Sequence, residues 1–174
     1  MFLIPGPLIS FLTFPGVITH ELGHKFFADE MRVPVYKVCY FRFGNPAGYV
    51  IHAVPNNLRS SFLISVGPFI INTLFCFLSS LSAFYFFPSK TWPFWLLMWV
   101  SISIGMHAFP SNEDMDNFVN YVKHARFLGI LIPFAYLFAL IFKLANYLRF
   151  FWLDAVYAGI IAILLPYLLG IKIF

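Results

Sequence analysis

Five apolar stretches, at roughly residues 5–28, 61–87, 91–110, 127–145 and 149–171, take up most of this 174-residue chain. Each is close to the ~20 residues that a helix needs to cross about 30 Å of hydrocarbon. In that medium a spanning segment must satisfy its own backbone N–H and C=O groups, so helix is the expected form. With 61% hydrophobic and 10% charged residues, the chain holds more apolar side chain than a soluble domain of its size can bury. The expectation is an all-α polytopic membrane protein of about five transmembrane helices, with a β-hairpin between the first and second. It reads as one membrane domain over 1–174, without repeats or low-complexity linkers. Pro15-Gly16 is expected to kink or restart the first helix, and Pro133 and Pro166 to kink the fourth and fifth.

Near the end of the first stretch stands His20-Glu21-Leu22-Gly23-His24, an H-E-x-x-H pattern. Residues four apart share a helix face, so His20 and His24 can offer two imidazole nitrogens to one metal ion, with Glu21 beside it. Zn²⁺ at such a site lowers the pKa of a bound water toward ~7, and a neighbouring carboxylate can take the water's proton during attack on a carbonyl carbon. No charged side chain precedes His20. Ionisable groups inside a membrane helix are expensive, which favours a working role for these three.

A catalytic zinc usually takes three protein ligands, a carboxylate often among them. Ser111-Asn112-Glu113-Asp114-Met115-Asp116 follows the third stretch and supplies the candidates. Asp114 is preferred, with Asp116 in reserve and Glu113 third; each also fits a helix cap or a solvated loop acid. His107, seven residues before Asp114, is expected about two turns deeper, supporting the site or touching substrate.

Val35–Phe43 and Tyr49–Val54 are β-branched and aromatic and flank turn-forming Gly44–Gly48, which predicts a β-hairpin. An open strand edge beside a protease site can hold substrate by strand addition; a hairpin that plugs the site or lies on the membrane surface fits the same residues, with His52 interfacial. Asn72 in the second stretch can bind substrate backbone or join helices, and Gly67-Pro68 suits close packing. Cys39 and Cys76 lack C-x-x-C partners, so neither a disulfide framework nor a Cys-based zinc site is expected. The N-terminus has no basic n-region and carries the proposed ligands, so it is read as retained.

Lys and Arg mark cytoplasmic loops. Five alternating spans put Lys25, Arg32, Lys37, Arg42, Arg59, Lys123, Arg126 and Lys172 on one side, and Lys90, Lys143 and Arg149 on the other. The ends of spans one and three then face the cytoplasm together. Asp154 is expected to anchor at the interface.

Together these residues resemble the site-2 protease family of intramembrane zinc metalloproteases over about 15–116, its three-helix catalytic core. His20–His24 with Ala28 resembles the first family motif, Gly67-Pro68 with Asn72 resembles G-P-x-x-N, and His107-Ala108-Phe109-Pro110 with Asp114 resembles the N-x-x-P and Asp-Gly motif that supplies the aspartate ligand. Asn72 lies one residue late, His107 replaces Asn, and Met115 replaces the Gly. The resemblance implies a zinc endopeptidase cutting transmembrane segments of membrane proteins, with Zn²⁺ on His20, His24 and Asp114, Glu21 as general base, and Asn72 and His107 near substrate. The partners expected are a transmembrane substrate and lipid, not nucleic acid, with a prokaryotic plasma membrane as the default location. The alternative is an inactive protease-like adaptor or chaperone that binds transmembrane segments. A prenyl-protein protease lacks its late Glu here, and a metal transporter lacks an acidic or His pair opposite the site at mid-membrane.

Overall fold

The structure is a computed structural model that describes residues 4–124 and 129–171. Arg126 and Lys172 of the charge count, and residues 127–128 of the fourth stretch, lie outside the described residues. The protein is mostly helical, with one small two-stranded antiparallel sheet.

The first stretch forms two helices, α1 (Gly6–Leu12) and α2 (Phe14–Glu30), with Thr13 between them. Pro15 has no N–H for the Phe11 carbonyl, so the helix restarts where Pro15-Gly16 predicted. At the other end of α2, Arg32 is left-handed with φ 56. There Val33 N–H donates to Ala28 O and Arg32 N–H to Asp29 O, which closes a Schellman motif. Ala28 and Val33 pack together with Ile64, so the cap also seats α2 against the next helix.

The hairpin forms as β1 (Val35–Cys39) and β2 (Tyr49–His52), with Val38 opposite Val50 and Cys39 opposite Tyr49. Its strands are shorter than the β-prone residues suggested. Beyond them Phe41 and Phe43 dock on Phe14 and Phe11, at ring separations of 5.9 and 5.0 Å. The turn is thereby held against the α1–α2 joint.

Helix α3 (Leu58–Phe86) follows, capped by the Asn57 side chain accepting from Ser60 N–H at 2.8 Å. Its 29 residues span about 43 Å. Helix α4 (Trp92–Met106) returns, and α5 (Asn112–His124) continues after a break. The sequence reading did not anticipate α5, although Met115, Phe118, Val119 and Val122 bury one face at helical spacing. Acidic Glu113 and Asp114 in its first turn and basic Lys123 and His124 in its last suit the helix dipole. Next come α6 (Ile132–Leu148), α7 (Leu153–Gly159), a π-helical turn (Ile160–Leu164) and α8 (Leu165–Leu168). Pro133 stands in the first turn of α6 and starts it, instead of kinking it. Pro166 cannot donate to Ala162 O, and that carbonyl accepts from Ser80 Oγ.

Contacts along α3 correct the expectation of five alternating spans. Reading α3 from its start, Phe62 meets Phe138, Phe69 meets Phe142, Thr73 bonds Tyr157 and Ser80 bonds Ala162. Both series rise together, so α6, α7 and α8 form one broken path parallel to α3. In the same way Phe84 meets Phe94, Ser101 donates to Cys76 O, Phe69 meets Phe109 and Phe62 meets Phe118. Thus α4 and α5 form one broken path antiparallel to α3. No reversal separates the fourth and fifth stretches. Two helical stretches among the described residues, Leu58–Phe86 and Gly129–Phe151, are long and apolar enough to cross a membrane; Trp92–Met106 and Leu153–Leu168 are shorter apolar helices.

The cations assigned to the far side move accordingly. Lys143 pairs with Asp116 at 2.5 Å, and Arg149 pairs with Asp154 at 3.3 Å. Asp154 is fully buried, not interfacial. Chain paths break at Thr13, at His107–Ser111 and at Arg149–Trp152, and these breaks meet: Thr13 Oγ1 bonds the His107 ring at 2.8 Å, and Asn146 donates to Pro110 O at 2.7 Å.

Candidate metal centre

Helix α2 presents His20 and His24 one turn apart, with ring centroids 4.9 Å from each other. Each ring is oriented by a carbonyl that the local fold has left unpaired. His24 Nδ1 lies 2.8 Å from Ile64 O. Ile64 is four residues before Pro68, which has no N–H to offer it, so the proline inside α3 frees the acceptor. His20 Nδ1 lies 2.7 Å from His107 O, at the terminating end of α4. A carbonyl only accepts, so both Nδ1 atoms carry hydrogen and both Nε2 atoms face the site.

Opposite them stands Asp114, with Oδ1 3.3 Å from His24 Nε2 and Oδ2 3.9 Å from His20 Nε2. One ligand atom from each of the three residues lies within 4.8 Å of the others. Tetrahedral ligands at about 2.0–2.1 Å from a metal ion lie about 3.3 Å apart, which the His24–Asp114 pair matches, so the two imidazoles and the carboxylate could hold a metal ion. Asp114 is held by a reciprocal cap: its Oδ2 accepts from Ser111 N–H at 2.7 Å, and its own N–H donates to Ser111 Oγ at 3.1 Å.

Asp116 is turned away toward Lys143, and Glu113 lines the cavity but is exposed. The three acids of one short segment are thus separated by the helical turn they begin.

Glu21 is buried beside its neighbours on α2. Gly48 lies directly over it; a Cβ there would come within 2.6 Å of Glu21 Cγ and 2.9 Å of Oε1. Only a residue without a side chain lets the hairpin turn close this tightly. A cavity of about 420 Å³ opens between the two walls, with His20, Glu21, His24 and Asp114 on one side and Gly48–His52 on the other. The second edge of β2 has no partner strand among the described residues, and β2 lines this cavity.

Of the two residues expected near substrate, Asn72 stands behind the ligand side chains and His107 beside them. Asn72 is fully buried and donates to His107 O at 2.9 Å and to Gly16 O at 3.3 Å, so it joins three helices behind the ligands instead of facing substrate. The His107 ring lies deeper than Asp114, against Gly16 and Thr13 while Asp114 faces His24, but the chain leaves helix after Met106 and the His107 carbonyl meets His20 directly. Its ring bonds Thr13 and lines the cavities next to the centre. His52 lines the outer end of the 420 Å³ cavity.

Sequence reading missed the work of Pro68, Gly48 and Ser111. The Ser-x-x-Asp spacing ahead of a helical apolar pattern is a capping signal and would have favoured Asp114 over Asp116. No family model, curated protein or solved structure matches the chain.

Proposed function

We propose that the chain is a zinc-dependent intramembrane endopeptidase, as its resemblance to site-2 proteases implies, acting on transmembrane segments of other proteins. The observation that carries this reading is the convergence of His20, His24 and Asp114, each oriented from behind, around a point beside Glu21. His20, His24 and Asp114 would hold zinc, which when bound supplies Lewis acidity and a water of lowered pKa. Glu21 takes the proton from the attacking water and passes it to the leaving amine. Gly48 keeps the hairpin close enough to exclude bulk solvent from that carboxylate. The open edge of β2 can hold a substrate segment in extended form, which exposes the peptide bonds that a helix conceals.

Depth supports the membrane setting. His24 bonds a carbonyl six residues into α3, and Asn72, at the level of His20, lies fourteen residues in; these are about 9 and 21 Å from Leu58. Arg32, Lys37, Arg59 and Lys123 lie toward the Leu58 end of α3, against Lys90 beyond its other end, so we infer that the Leu58 end faces the cytoplasm.

The test is zinc per protomer in detergent-purified protein, followed by cleavage of reconstituted transmembrane peptides. One zinc is expected in the unaltered chain, in Asp116→Ala and in Glu21→Gln, with strong loss in His24→Ala and Asp114→Ala. Glu21→Gln is expected to cleave nothing. Absence of zinc from the unaltered chain after reconstitution, or cleavage surviving in Glu21→Gln, overturns the reading.

A further inference from the structure

The break between α6 and α7 carries a cation that the proposed chemistry does not use. Arg149 lines a chamber of about 180 Å³ together with His20, Glu21, Gly48 and His107. The same arginine lines a second, larger cavity of about 890 Å³, bounded by α1, the Asn45–Ala47 turn and the end of α6. The two spaces share Ser10, Asn45, Ala47, His107 and Arg149, and the smaller one shares His20, Glu21, Pro46, Gly48 and Ser111 with the cavity at the metal centre. A path therefore runs from the metal ligands past His107 to Arg149.

Arg149 is the one Lys or Arg among the residues lining these three spaces, and no Asp or Glu lines the largest. Its Nε donates to Asp154 Oδ2 at 3.3 Å. Asp154 is completely buried, and its other oxygen accepts the Ala155 N–H at 2.9 Å. The carboxylate thus fixes the guanidinium through one of its five N–H groups, leaving the two Nη groups as a planar fork of four donors. Such a fork matches a carboxylate bidentately. A guanidinium held at mid-chain depth between apolar helices, with its own buried counter-ion, is far more elaborate than a snorkelling anchor requires.

We propose that Arg149 is a specificity-determining residue that receives a carboxylate of the bound peptide, either its free C-terminus or an acidic side chain, in the chamber beyond His107. The inference rests on the endopeptidase reading and names a preferred class of substrate for it: apolar segments bearing a carboxylate on one side of the bond to be cut.

The test measures binding of short dansyl-labelled Leu/Ala/Val peptides to the zinc-loaded Glu21→Gln chain in detergent. One peptide ends in a free carboxylate, one in an amide, and one in an amide with a single internal Glu. The expected result is about tenfold tighter binding of one or both carboxylate peptides than of the plain amide. Which of the two binds tighter identifies the source of the carboxylate. In Arg149→Gln this difference collapses, and Arg149→Lys retains part of it. Equal binding of all three by the chain with Arg149 intact overturns the inference even if Arg149→Gln fails to fold, as does a preference that persists in Arg149→Gln. Those outcomes leave zinc binding and Glu21-dependent cleavage untouched, whereas loss of the latter two overturns the underlying reading.

Discussion

At the scale of the residue, the candidate centre depends as much on backbone acceptors as on the ligands themselves. Pro68 acts through an absence, because the missing N–H leaves Ile64 O for His24. Pro68→Ala supplies a competing donor to that carbonyl, so zinc affinity is expected to fall about tenfold with helix content unchanged, as read by chelator competition and circular dichroism. Gly48→Ala probes the opposite wall. Its Cβ would collide with Glu21 Cγ at 2.6 Å, so the turn or the carboxylate must shift. Zinc content is expected to stay near one per protomer while cleavage falls by about 10²-fold, since misplacement of a reacting group by about 1 Å is enough for that. Together the two variants separate metal binding from proton transfer.

At the scale of the element, ends and breaks matter more than helix interiors. The Schellman cap of α2 places Arg32 at φ 56, a region that disfavours a side chain by roughly 1–2 kcal/mol. Arg32→Gly is therefore expected to stabilise the protein by about 1 kcal/mol and to raise its thermal midpoint in detergent, without changing zinc content. A lower midpoint would mean that the arginine side chain contributes more than its backbone strain removes. The breaks at Thr13, His107–Ser111 and Arg149–Trp152 release carbonyls and side chains where the ligands gather. If these paths cross a membrane, irregular backbone at such depth is tolerated where protein surrounds it, and here Asn72, Thr13 and Asn146 satisfy it.

At the scale of the whole molecule, the parallel course of α6–α8 along α3 changes the expected topology. If the paths cross a membrane as they pack, Ser89 and Ile171 emerge on one face, and Arg32 and His124 on the other. Single cysteines placed at these four positions, in a Cys39→Ser background, are expected to react with a membrane-impermeant thiol reagent in those two pairs. Five alternating spans would instead put Ile171 with Arg32 and His124, so the labelling pattern decides between the two arrangements.

The sequence by itself determined the elements whose signal is local. His20 and His24 share a face because four residues make about one helical turn, the hairpin follows from β-branched runs around Gly44–Gly48, and Pro15 restarts a helix whatever surrounds it. Asp114 was legible as a candidate from the need for a carboxylate ligand, although its local cap with Ser111 went unread. Only the tertiary structure decided what depended on partners distant in the chain. Hydrophobic length alone cannot tell a helix that reverses at Arg149 from one that breaks and continues, because both bury the same residues; the choice lay in Phe62, Phe69, Thr73 and Ser80 meeting α6 and α7 in rising order. For the same reason the sequence left Asn72 open as a substrate group or a helix joint. Its buried amide needed acceptors, and the nearest were carbonyls of Gly16 and His107, 56 and 35 residues away.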